Sequence, residues 1–198
     1  MTSPWMSLLY GWVGVSRRAI CYLCLVSILG MVGCTGVPEG VAPVADLELN
    51  RYLGTWYEIA RLDHGFERGL SSVTATYSLR EDGGVRVLNQ GYRADEDRWV
   101  SAEGRAYFVD DTQTAHFKVS FFGPFYSSYI VFGLDDVDYQ YAFVSGYTQD
   151  YLWLLARTPT VAPEVFEAFE ARASALGFPV QELIMVDQGV VNPALGEP

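Results

Sequence analysis

From about residue 54 onward the chain is built of short runs in which apolar and polar side chains alternate, each ended by turn-forming residues. The alternation is clearest in Ser72–Leu79, where Val73, Ala75, Tyr77 and Leu79 share one face and serine and threonine the other. A period of two is the signature of a strand with one face on a core. Glu81-Asp82-Gly83-Gly84 then reads as a hairpin turn. Val85–Tyr92 follows, with Val87 and Asn89 on one side. Trp99–Phe108 places the small Ala102, Gly104 and Ala106 on one face, as a strongly curved wall requires. Further strands are predicted over 115–121, 129–134, 139–146 and 151–157, and counting from Trp56 gives eight. Strands at this spacing, divided by turn signals, predict an all-β barrel or sandwich.

After Arg157 the period changes. Thr160 reads as an N-cap, Val165, Phe169 and Leu176 form one helical stripe, and Gly177 supplies a C′ stop. A single amphipathic helix after eight strands has to lay that stripe on the outside of the barrel. Glu182–Asp187 is expected as a short closing strand, and the stretch 191–198 as a frayed tail.

The front of the chain obeys other rules. Arg17-Arg18 precede the uncharged apolar run Ala19–Gly33, too short for a comfortable membrane span and patterned like a secretory signal. An uncleaved anchor is the alternative reading. Cys21 and Cys24 fall inside the run, so only Cys34 remains after processing, and no disulfide can form. The domains read as 1–33 signal, 34–45 cysteine and flexible tether, 46–190 barrel domain and 191–198 tail.

The formal net charge is −11 for the whole chain, and losing residues 1–33 removes two arginines and no acid. That balance argues against nucleic acid, which asks for a basic patch. It also offers no polybasic route to a membrane.

Taken together, Arg51-Tyr-Leu-Gly-Thr-Trp-Tyr-Glu-Ile-Ala-Arg61, Phe66–Gly69, Val73–Leu79, Val119–Phe125 and Tyr151-Leu-Trp153 with Arg157-Thr-Pro159 resemble the lipocalins, in particular the bacterial outer-membrane branch and, less closely, the apolipoprotein D branch. Met31-Val-Gly-Cys34 resembles a lipobox, which implies cleavage before Cys34, its lipidation and membrane attachment through the acyl chains. Thr35, where retention signals carry Asp, then implies sorting to the outer membrane. The resemblance implies an eight-stranded antiparallel up-and-down lipocalin barrel with one C-terminal helix outside. It also implies a lipophilic ligand, a lysophospholipid or a fatty acid, and no cofactor. By position it carries Tyr77, Asn89, Arg93 and Trp153 over as ligand contacts. Alternation adds Phe117 and Phe143 as wall residues. Trp56 and Arg157 are expected to stack at the base.

Other functions are weighed on the same residues. Catalysis would need a nucleophile or acid–base pair, and His64 and His116 lack a suitable neighbour in sequence; no metal site is read either. His116 alternates against Phe117 and is expected to face outward. Glu58 is expected inward, paired with Arg157 or another basic residue. A lipid-modifying enzyme therefore stays an alternative only, as does an interaction module or homodimer formed through the aromatic run Phe121–Tyr126.

Overall fold

The computed structural model describes residues 35–195. A one-turn helix α1 (Leu49–Tyr52) leads into β1 (Gly54–Arg61), β2 (Leu70–Leu79), β3 (Val85–Arg93), β4 (Arg98–Phe108), β5 (His116–Ser120), β6 (Ser127–Leu134), β7 (Tyr141–Ser145) and β8 (Leu152–Ala156). Helix α2 (Pro163–Ala175), a 3-10 turn at Val180–Glu182 and β9 (Ile184–Met185) follow. Every neighbouring pair is antiparallel. Because β1 pairs with both β8 and β2, the eight strands close on themselves, and β9 adds a short ninth on β1. Closure gives every barrel strand a neighbour on each side over at least part of its length, and eight strands leave room for one small ligand.

The barrel carries two apolar layers. Trp56, Tyr77, Val87, Phe117, Val144 and Leu155 belong to the inner one. The outer layer lies under α2 and includes Ile59, Ile130, Phe132, Phe143, Leu154 and Phe169. Phe169 and Ala173 anchor the helix with no exposed surface. Burying a phenylalanine of this kind is worth about 1.5–3 kcal/mol.

The helix begins later than Thr160 predicts. Ala162 holds the N-cap position without a side-chain hydrogen bond, and Pro163, with φ already suited to a helix, stands at the first turn. Gly177 does take the left-handed conformation, at φ +81°, and Phe178 folds back into the outer layer.

Residues 36–45, expected as a free tether, are laid along the barrel wall instead. The Ser128 hydroxyl donates to the Gly36 carbonyl at 2.7 Å, and Val41 is buried in the outer layer. Lower down, Val44 donates its N–H to Val131 and accepts from Ala115, each at 2.8 Å. The segment thus splices onto the ends of β5 and β6 before α1 crosses the base. The C-terminal end is fastened to the barrel as well. Gln188 Nε2 donates to the Glu58 and Val73 carbonyls, Val190 N–H bonds Ser72 Oγ, and Asn192 is buried. Cys34 and residues 1–33 lie outside the described residues.

Candidate functional site

The two ends of the barrel differ. At the base, Tyr52, Trp56 and Arg157 form a plug. The Arg157 guanidinium sits 3.8 Å above the Trp56 ring and donates to the carbonyls of Arg51, Leu53, Thr55 and Tyr139. Trp56 Nε1 donates to the Tyr52 carbonyl at 2.8 Å. Above the plug lies a cavity of about 720 Å³, walled by Val73, Val87, Phe117, Val119 and Leu155 among others. A cavity of this size and apolarity is typical for a small lipophilic molecule.

Tyr77 faces this cavity at its lower end. Its hydroxyl donates to Tyr129 at 3.0 Å, and Tyr129 shares a 2.7 Å bond with Tyr52. Burial pushes all three phenols above their ordinary value, so they remain neutral donors at any physiological pH. The sequence pattern does not single out Tyr52 or Tyr129. One lies before the strand pattern begins, and the other differs from an ordinary inward aromatic only through its partners.

Asn89 lines the cavity, and its buried Oδ1 has no partner among the described residues. Arg93 also lines it, at the mouth end, where its Nε makes an ion pair with Glu96 Oε1 at 3.4 Å without hydrogen-bond alignment. Buried polar atoms normally find a partner, so Asn89 is a wall position from which a ligand's polar end could be held, with the guanidinium of Arg93 a second at the mouth. Phe117 sits on the inner wall.

Phe143 does not line the cavity. It packs in the outer layer, 5.2 Å from Phe169 and 6.1 Å from Phe132, and the inward residues of β7 are Ala142 and Val144. A strand buried on both faces is apolar throughout, so alternation carries no information about which side is in. The large rings went to the side that needs a ridge for α2.

Trp153 lines the upper wall and donates from Nε1 to Glu67 Oε2 at 3.1 Å. Glu67 comes from the β1–β2 loop and belongs to a buried charged group. Arg61 donates to Glu58 Oε1 at 2.7 Å and to the Glu67 and Leu70 carbonyls. Of the partners expected for Glu58, the structure selects Arg61, not Arg157. Burial, then the nearby Glu67, pushes Glu58 well above the usual carboxylate range, and burial raises Glu67 too. His64 lies 3.1 Å from Glu67 but is not aligned for a hydrogen bond. Burial and the Arg61 charge lower its pKa to about 4, so it is neutral at pH 7. Its ring stacks on Phe66 at 4.0 Å and tilts against Trp153 at 5.0 Å, fastening the loop to the wall.

His116 is on the outer face of β5 but is covered, with Nε2 3.2 Å from Ser128 Oγ. The Ser128 proton is committed to the Gly36 carbonyl, so the pair does not form an activated nucleophile. Among the described residues no cluster of His, Cys, Asp and Glu could hold a metal ion.

The lipocalin-like domain family matches residues 47–188. The chain is 56% identical over 171 residues to outer membrane lipoprotein Blc of Vibrio cholerae serotype O1, covering 86% of this chain and 99% of that one. It is 54% identical over 151 residues to the Blc of Escherichia coli K12, covering 76% and 85%. Apolipoprotein D of Bos taurus is 31% identical over 180 residues, covering 83% and 94%. Among solved structures, insecticyanin from the tobacco hornworm superposes with a TM-score of 0.62 at 21% identity, over 77% of this chain and 86% of that one. This last likeness speaks for the fold alone.

Proposed function

The chain belongs to the lipocalin family, and on that premise we propose that it binds and stores or carries a lysophospholipid or fatty acid at the bacterial outer membrane, held there by acylated Cys34. The observation that carries this reading is the apolar cavity of about 720 Å³, closed below by Trp56 and Arg157. The outer-membrane placement is supported by the names of relatives at 54–56% identity. Among the described residues the cavity wall offers no activated nucleophile, since the Ser128 proton is committed to the Gly36 carbonyl, and Glu58 is paired with Arg61 instead of being aimed at a ligand. That arrangement supports binding without turnover.

Electrostatics favour the lysophospholipid. Glu67 puts a carboxyl group on the upper wall, and Arg93 stands at the mouth with its charge shared by Glu96. The chain's net charge also opposes a free anion. A zwitterion sets its phosphate toward Arg93 and its ammonium toward the acids, whereas a fatty acid brings only the disfavoured sign. In competition against a fluorescent fatty acid, a lysophospholipid of equal chain length is expected to displace the probe at lower concentration. Equal or weaker displacement overturns the preference. Native mass spectrometry of the protein extracted from its own membrane tests the broader reading, which fails if no lipid co-purifies.

A further inference from the structure

The barrel wall has a gap beside the mouth. Strand β5 ends at Ser120, opposite Arg105, so β4 residues Arg98–Gly104 have no partner on that side. Ala102 lines the cavity together with Val100, yet it is exposed. The β5–β6 hairpin on the far side of the gap contributes Phe121, Phe122, Phe125 and Tyr126 to the same lining. Phe122 and Phe125 are 82% and 78% exposed. The cavity therefore opens sideways, between a half-bare strand and a hairpin tipped with phenylalanine.

Two cations flank that hairpin without a carboxylate partner among the described residues. Arg105 Nε donates to Tyr126 Oη at 3.1 Å, and Lys118 Nζ lies 5.8 Å from the Tyr126 ring. In a chain with nearly twice as many acids as bases, unpaired cations beside exposed phenylalanines form a local exception.

The start of the described chain lies at the same place. Gly36 is bonded to Ser128, which pairs with Lys118 across the hairpin, and Thr35 bonds His116 through its backbone. Ser128 follows Phe125 by three residues, at most about 11 Å of chain. Cys34 is covalently next to Thr35, with about 3.8 Å between their Cα atoms. An anchor at that cysteine has no free tether on which to swing the barrel away.

We infer that the β5–β6 hairpin and the adjoining gap form a phospholipid-docking face, with Phe122 and Phe125 entering the leaflet and Arg105 and Lys118 meeting its phosphates. Lipid then passes through the side gap between leaflet and cavity without crossing water. Apolar rings in the interface and cations near an anionic surface each favour that placement. The inference rests on acylation at Cys34. The same face could instead be covered by a second copy of the chain, and the test separates the two.

The lipidated full-length protein is reconstituted into phosphatidylethanolamine–phosphatidylglycerol vesicles carrying brominated acyl chains. A polarity-sensitive fluorophore is placed at Phe125→Cys or, at the opposite rim, at Glu81→Cys. Quenching by the brominated lipid is expected to be at least twofold stronger at position 125, and Arg105→Gln with Lys118→Gln is expected to reduce it. Protein that floats with the vesicles but shows equal quenching at the two positions overturns the docking face. So does a label at 125 that is dry yet insensitive to brominated lipid, the result a second copy of the chain would give. Protein that fails to float and lacks the acyl mass overturns the anchoring itself, a separate outcome.

Discussion

The Arg157 guanidinium lies over the Trp56 indole with its Cζ 3.8 Å from the ring centroid, and its nitrogens donate to four backbone carbonyls drawn from three segments. One side chain thus ties α1, the start of β1 and the turn before β7 across the floor of the barrel. A lysine keeps the charge but not the planar fork. Arg157→Lys is expected to lose about 2–3 kcal/mol, seen as a lower urea midpoint with an unchanged slope. Ligand stoichiometry should stay at its wild-type value, because the plug lies below the cavity.

Tyr129 is the middle member of the tyrosine triplet, so its hydroxyl serves two buried neighbours at once. Tyr129→Phe leaves Tyr52 and Tyr77 each short of a partner while keeping the ring contacts with Tyr77 and Phe117. A cost of about 1–3 kcal/mol is expected. Tyr77→Phe strands only one bond and should cost less. Thermal unfolding of the two variants side by side checks the order.

The strands were legible because most have one wet face, so that alternation in Ser72–Leu79 fixes both the element and its inward side. Where a second layer covers the wall, that phase is lost, and Phe143 lies on the face opposite to the one alternation predicts. Burial of 36–45 was invisible for a different reason: Gly36, Pro38, Gly40 and Pro43 read as linker composition, while the bonds that pin the segment come from Ala115, Ser128 and Val131, far along the chain. Trp56 and Arg157 could be paired from sequence because glycine, indole and guanidinium are each unusual at a strand end. The Glu58–Arg61–Glu67–His64 group could not, because it depends on how the Leu62–Gly69 loop folds back.

That group makes stability depend on pH in two opposing ways. The folded pKa of His64, about 4, lies below its unfolded value of about 6.5. Its contribution is therefore complete above pH 6.5 and is lost as pH falls through 4, amounting to at most about 3 kcal/mol. Glu58 and Glu67 are shifted upward, so their protonation on acidification favours the folded state. His64→Phe keeps the stacking on Phe66 and removes the first effect alone. Its stability relative to wild type is expected to improve steadily from pH 6.5 to 4.5 in urea titrations. A difference independent of pH would contradict the assignment of His64 as buried and neutral.

Gly133 sits at the irregularity where β6 shifts register against β7, and a Cβ there would lie 2.4 Å from Phe143 Cδ2. Gly133→Ala is expected to destabilise by about 1–3 kcal/mol through overpacking. Adding Phe143→Leu, which removes the obstructing ring edge, should recover part of that loss. The coupling is read from a double-mutant cycle. Purely additive losses would mean that the penalty comes from the backbone and not from the ring.

Two tryptophans divide the barrel into a sealed floor and a ligand wall. Trp56 has no exposed surface and does not line the cavity, whereas Trp153 does, held by its bond to Glu67. A brominated fatty acid in the cavity quenches an indole only at short range, so Trp153 should account for most of the fluorescence lost on binding. In Trp153→Phe the quenching amplitude is expected to fall by more than half relative to wild type at saturating ligand. Trp99 stands on β4 against Tyr92, 5.7 Å between rings, at the mouth end of the barrel. A residual quench that disappears with Trp99→Phe would place bromine near the mouth. Quenching that survives Trp153→Phe at full amplitude would mean that the ligand sits elsewhere, because no rearrangement short of opening the Trp56–Arg157 floor brings it to the other buried indole.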